Sequence, residues 1–190
     1  MARYSLQSAV RQVRGRILAT IGIGMAVIVA WWVRVEDARV PEVAPRVVFG
    51  EPVKVGRSVF TPQKLSVVQG KDQGERKLVL TGLIENVTGT TQTAVFGFPE
   101  QLPELSSGDM IFPAPKVILV RDNYPLTQLQ PRIREAITLV WDVEPVWRDK
   151  EVSIKFSAQR FKLNDNLYSK ASWLLFYPTG SLKARPEQDT

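Results

Sequence analysis

An all-β antiparallel sandwich preceded by a single N-terminal transmembrane helix is the fold this sequence predicts, and three observations predict it. Residues Ile17 to Val33, ILATIGIGMAVIVAWWV, carry no charge, whereas the segment before them holds Arg3, Arg11, Arg14 and Arg16 and no acid. From about residue 53 onward, apolar residues recur at every second position rather than at helical spacing, the mark of half-buried antiparallel strands. Clusters of turn-forming residues then divide that region into roughly seven to nine short runs, as a sandwich requires.

The first element is the membrane helix at 17–33. As a helix it is about 26 Å long at ~1.5 Å per residue, slightly short of a hydrocarbon core of about 30 Å. Arg16 and Arg34 can snorkel at its ends, and Trp31 and Trp32 stand where an interfacial aromatic belt belongs. Thr20 can return its hydroxyl to a carbonyl one turn back. The basic tail, residues 1–16, orients the N-terminus to the cytoplasm and the rest of the chain outside. A cleaved signal peptide is the rival reading, but cleavage after Ala30 would put bulky Ile28 at the position where a small residue belongs. A buried core helix is the other rival, and the arginine-rich tail argues against it. Gly22, Ala26 and Ala30 fall four apart on one helix face, a spacing of small residues that lets two membrane helices approach closely. Gly and Ala are also common in any membrane helix.

Residues 34–52 contain Pro41, Pro45 and Pro52 among mixed charges and read as a partly extended stalk. Residues 53–179 form the predicted sandwich. In KLVLTGLIEN, Leu78, Leu80, Gly82 and Ile84 share a face; in AITLVWDVEP, Ile137, Leu139, Trp141 and Val143 do so; in EVSIKF, Val152, Ile154 and Phe156 alternate with Ser153 and Lys155. SVFTPQKLSVV, TAVFGF, PKVILV and ASWLLFY add further strands, and an immunoglobulin-like topology is the default at this size. Residues 180–190 are polar with Pro186 and read as a flexible tail.

The chain lacks cysteine and histidine. Disulfides, thiolate zinc sites and thiol nucleophiles are thereby excluded, and the commonest general base is missing. This directs the reading to a non-enzymatic protein without cofactor or metal. The formal net charge is +6, but the N-terminal arginines supply most of the excess. It is therefore a topology signal and an attraction to anionic lipid rather than a nucleic-acid surface.

Four motifs have candidate chemistry, each with a plainer alternative. Asp142 and Glu144 lie two apart on one strand face, where paired carboxylates can serve hydrolysis or hold a hard cation; a solvated strand face is the plainer reading. Asn164-Asp165-Asn166 offers oxygen ligands but lacks the glycine and distal glutamate of a calcium loop, so it reads as a turn. Ser169-Lys170 is adjacent, so on a strand the two side chains would diverge and make a poor catalytic dyad. Asn86-Val87-Thr88 matches the glycosylation acceptor pattern, which is common by chance. Trp141 reads as core, and Trp147, after Pro145 in a loop-like stretch, as a possible exposed contact.

Three stretches together carry a family resemblance: LVLTGLIENVTGT (Leu78 to Thr90), RDNYPLTQLQPRIREAITLVWDV (Arg121 to Val143) and VSIKFSAQRFKLNDNLYSKASWLL (Val152 to Leu175). They resemble the telokin-like immunoglobulin-fold domains of bacterial surface and secreted proteins, in particular uncharacterised single-span envelope proteins. The resemblance implies an extracytoplasmic β-sandwich and transfers no catalytic residues. In that pattern a glycine follows the "LQP" turn; Arg132 stands here, so an easy position for positive φ is lost.

The expected function is that of a non-enzymatic, membrane-anchored extracytoplasmic binding or assembly domain, an accessory subunit of a cell-envelope complex. Its partners would be the lipid bilayer and a membrane or envelope protein, with no nucleic acid. The alternative is a module binding cell-wall glycan or another envelope polymer, which requires Trp147, Tyr124 and Phe161 to be exposed and gathered. A third reading, a carboxylate-based enzyme on envelope polymers, requires an acidic pair in a concave pocket.

Overall fold

The computed structural model describes residues 3–38, 44–70, 75–144, 147, 150–164 and 169–188. These divide into two compact units, Met1–Val40 and Pro41–Thr190. The first is one helix, α1 (Arg3–Ala38). Its window Ala19–Glu36 has a mean hydropathy of 1.5, and Ile21, Ile23, Met25, Val27, Ile28, Val29, Trp31, Trp32 and Val33 are all exposed. Exposure of so many large apolar side chains is tolerable in lipid and costly in water. The Thr20 hydroxyl donates to the Arg16 carbonyl at 2.9 Å, which satisfies the one polar side chain in the run.

The second unit is a sandwich of two sheets. Its strands are β1 (Arg46–Val47), β2 (Val53–Val55), β3 (Ser58–Gln69), β4 (Arg76–Glu85), β5 (Glu104–Ser107), β6 (Met110–Ile111), β7 (Lys116–Leu119), β8 (Arg134–Val143), β9 (Val152–Lys162), β10 (Ser172–Ala184) and β11 (Glu187–Gln188). One sheet has the order β1-β10-β9-β5-β6, the other β11-β3-β4-β8-β7, with β2 also paired to β3. All pairings are antiparallel except the short parallel ones of β1 with β10 and β11 with β3.

Period-two alternation makes the core. Leu78, Leu80 and Ile84 of β4 and Ile137, Leu139 and Trp141 of β8 are buried from one sheet; Ile154 and Phe156 of β9 meet them from the other. The rings of Phe60 and Phe156 join the layers with centroids 6.1 Å apart. In β3 the inward parity changes from Phe60 and Pro62 to Leu65 and Val67, and the register with β4 slips between Pro62 and Lys64. Proline has no N–H for the ladder, and a bulge is one of the few places it fits within a strand.

Two boundaries differ from the sequence reading. The stalk expected over 34–52 is much shorter: α1 runs to Ala38, and Arg46–Val47 already pairs with Ser181–Leu182. Val47 is buried against Gly180, where a Cβ would come within 2.3 Å of a Val47 methyl. A two-residue strand is too short to leave a periodic trace in sequence. The flexible tail expected over 180–190 is also corrected. Leu182 and Pro186 are buried, Ala184 packs on the core, and Glu187–Gln188 pairs with Ser66–Val67.

Candidate functional site

Asn86 shows how the loop end of the sandwich is organised. It is 0% exposed. Its amide donates to the carbonyls of Thr90 (2.7 Å) and Leu129 (3.0 Å). Its side-chain oxygen accepts from the Thr88 N–H (2.9 Å) and the Thr88 hydroxyl (2.7 Å). Every polar atom of the amide is thus engaged, and the glycosylation reading gives way to a structural one: Asn86 ties the β4–β5 loop to the segment before β8. In that segment Arg132 holds φ at 60° and its N–H donates to the Asn86 carbonyl at 2.9 Å. The turn keeps its left-handed residue although glycine is absent.

A cleft opens at the same end, lined by residues that include Lys54, Ser58, Gln159, Arg160, Trp173 and Tyr177, with a volume of about 360 Å³. Its position follows from the strand lengths. β5 covers β9 only as far as Lys155, so the lower half of β9 needs another partner on that side. Gly56, in the turn between β2 and β3, provides it: its N–H donates to the Ser157 carbonyl and its carbonyl accepts from the Gln159 N–H, both at 2.8 Å. Gly56 has φ 50°, and a Cβ there would lie 2.2 Å from the Phe96 Cα. Only glycine permits this approach.

Gln159 is buried and converts the loop into a platform. Its oxygen accepts from the Arg57 Nε–H (3.0 Å) and the Phe98 N–H (3.3 Å), and its amide donates to the Phe98 carbonyl (2.8 Å). So held, the Arg57 guanidinium lies over the Trp173 ring at 5.0 Å, and Trp173 packs against Phe161 with centroids 5.0 Å apart. Arg160 lies over Tyr177 at 5.6 Å. Burial pushes the Arg57 pKa below the ordinary arginine value, although arginine stays charged at any physiological pH. The Ser58 hydroxyl is buried and has no partner among the described residues. Described residues lining the cleft include no carboxylate. Arg160, stacked on Tyr177 on the face of β9 that carries Ala158, lines the cleft and can present N–H donors to an oxyanion, whereas Arg57, with Trp173 and Gln159, stands on the opposite face of that strand.

The other sequence candidates do not converge there. Trp147, expected as an exposed contact, is only 8% exposed. Three contacts hold it: its backbone N–H donates to the Glu144 carbonyl (2.9 Å), its carbonyl accepts from Arg76 (2.6 Å), and its ring meets Phe112 edge-on at 6.0 Å. Tyr124, in the loop after β7, and Phe161, on β9, are exposed, but with Trp147 buried the three aromatics named for a glycan site do not form one exposed cluster. Asp142 and Glu144 are exposed; Asp142 pairs with Lys116 at 3.1 Å across the sheet edge, a solvated pair of little energetic weight. Ser169, with φ 52°, and Lys170 lie in an exposed bend. Asp165 and Asn166 fall outside the described residues. Gly22, Ala26 and Ala30 are exposed on α1, with open space around Gly22; Arg16, Trp31, Trp32 and Arg34 are exposed as well.

A second, more open groove runs over β1, β9 and β10 and is lined by Arg46, Glu151, Lys155, Ser181 and Lys183. Lys155 pairs with Glu104 at 3.3 Å, and the Ser153 and Ser181 hydroxyls are 3.1 Å apart. Its mixed signs and exposure make it an ordinary solvated sheet face. The sequence reading missed Arg57, Gln159, Arg160 and Tyr177 as site residues. The signal available was the basic–aromatic alternation of Arg160-Phe161-Lys162 facing Trp173 across a hairpin.

No protein-family profile matches the chain, and no curated protein sequence matches it. Among solved structures, an uncharacterised β-sandwich protein from Clostridium difficile 630 superposes with a TM-score of 0.51 at 12% identity, covering 77% of this chain and 98% of that one. A candidate lipoprotein from Staphylococcus aureus superposes with a TM-score of 0.44 at 6% identity, covering 74% and 100%. The likeness to the first concerns fold alone: this chain is a β-sandwich with an apolar N-terminal helix. The telokin-like resemblance read from three sequence stretches has no counterpart among these matches beyond the sandwich itself.

Proposed function

We propose that the chain is a membrane-anchored, non-enzymatic extracytoplasmic binding or assembly domain, an accessory subunit of a cell-envelope complex. The observation that carries this reading is the run of exposed apolar side chains on α1, bounded by Arg16 and Arg34 and followed by a cysteine-free sandwich. Such a helix is stable in lipid, and the arginine-rich tail favours a cytoplasmic N-terminus. Tethering raises the effective concentration of partners in the same membrane, so modest affinity suffices.

An immunoglobulin-like arrangement of the sandwich is part of the proposal. The order β3-β4-β8-β7 against β6-β5-β9-β10 supports it, since it parallels the ABED and CFG sheets of that fold with one added strand. The test is a protease-protection assay on intact cells with a reporter fused after Thr190, combined with crosslinking and pull-down. An externally cleaved reporter and a recovered membrane partner are expected. A cytosolic reporter, or a chain that purifies soluble without detergent, overturns the anchored reading.

A further inference from the structure

The cationic cleft has a second feature beside it. Phe98, Leu163 and Leu175 are 76%, 81% and 88% exposed, far more than large apolar residues in a water-facing loop need to be. Phe98 is bound through its backbone to Gln159 in the cleft, Leu163 follows β9 directly, and Leu175 stands on β10 between Trp173 and Phe176. These apolar tips thus stand at the same end of the sandwich as Arg57 and Arg160. Lys162 and Lys170, against the single acid Asp165, leave the same hairpin net positive.

The chain's own path points the same way. β1 runs parallel to β10 and begins opposite Ser181, and Ala44 lines the outer groove beside Pro178. Ala44, where the described residues of the sandwich begin, therefore lies on the side of β1 towards the end of β10 that carries Trp173. Six peptide steps separate Ala38 from Ala44, at most about 21 Å when fully extended. A lipid surface is the one partner whose proximity the covalent chain itself enforces.

We infer that this end of the sandwich docks on the bilayer surface, with Arg160 receiving phosphate oxygens of anionic phospholipid and Phe98, Leu163 and Leu175 entering the interfacial layer. The chemistry fits on both counts. Guanidinium forks match phosphate geometry, and the combination of basic and apolar side chains is what an anionic membrane interface selects. A hydrophilic polyanion would leave the leucines uncovered. A free sugar would have to compete for aromatic faces already stacked by arginine. This inference rests on the anchored reading but is tested apart from it.

The sandwich has its own core, built from Val47 to Leu182 with Ala184 packed on it, within the compact unit Pro41–Thr190, so residues 41–190 can be examined alone. Cosedimentation would use vesicles of phosphatidylcholine and vesicles of phosphatidylcholine with about 30% phosphatidylglycerol, at low and high salt. Binding to the anionic vesicles alone, weakened by salt, is expected. Leu163→Ser with Leu175→Ser should reduce partitioning at least about tenfold, and Arg160→Glu by about fivefold or more. Both leucines are exposed, so unchanged thermal unfolding will separate lost docking from lost folding. Equal binding to both vesicle types, no binding to either, or wild-type partitioning of the double leucine variant overturns the inference. Capture of an acidic peptide such as poly-glutamate by a domain that ignores vesicles would do so too, in favour of a protein partner. Failure here leaves the protease-protection result for the anchor untouched.

Discussion

Replacing Asn86 tests the reasoning about the loop end directly. Asn86→Ala removes four hydrogen bonds of 2.7 to 3.0 Å. At about 1 kcal/mol net each, the ceiling is about 4 kcal/mol. Neither carbonyl is stranded, however. Thr90 O can take the Thr88 hydroxyl, 2.9 Å away and released from Asn86, and Leu129 O keeps the Gln92 N–H at 3.0 Å. The expected loss is therefore about 2–4 kcal/mol, or roughly 4–16 °C in Tm for a domain of this size. Asn86→Asp refines the test. It preserves both bonds from Thr88 but turns an oxygen towards two carbonyls in a site without solvent, so the introduced carboxyl must have a raised pKa in the folded state. A raised folded pKa means that the folded state holds the proton more tightly, so stability falls as pH rises above the unfolded value of about 4. Chemical denaturation at pH 4 and pH 8 should show the larger deficit at pH 8. A loss below about 0.5 kcal/mol for Asn86→Ala, or a pH-independent deficit for Asn86→Asp, would refute the assignment of Asn86 as the organising residue.

Three further outcomes follow from particular contacts. Gly56→Ala combines a left-handed backbone with a Cβ 2.2 Å from a backbone carbon and should cost at least about 3 kcal/mol in denaturant unfolding. Removing residues 185–190 deletes the β11 pairing and the buried Pro186, so Tm should drop by several degrees, whereas a dispensable tail would leave it unchanged. Gly22→Leu with Ala26→Leu should weaken any self-association of the helix in a membrane two-hybrid assay, because the small-residue face no longer permits close approach; an equal signal ends that idea.

How much of this was legible in sequence depended on the range of the interactions. Strands β4, β8 and β9 were readable because their inward residues repeat with period two over four successive turns of the pleat, at 78–84, 137–143 and 152–158. The helix was readable because Ile17 to Val33 is uncharged between arginines. Trp147 was misjudged because proline and charge nearby suggest a loop, whereas its burial comes from Phe112, a residue just beyond β6 and distant in sequence. The last residues looked like a tail because Leu182, Ala184 and Pro186 alternate too briefly to stand out.

The cleft lies at the far end of that scale. Arg57 reaches Trp173 and Gln159 across more than a hundred residues, and no local pattern encodes such a meeting. Composition and periodicity alone determined that there is an apolar helix followed by a disulfide-free β body, because hydrophobic burial depends on which side chains alternate and how long the run lasts. Which residues share a surface was decided only by tertiary structure, since pairing, crossing and the turn at Gly56 bring together side chains that the chain itself keeps far apart.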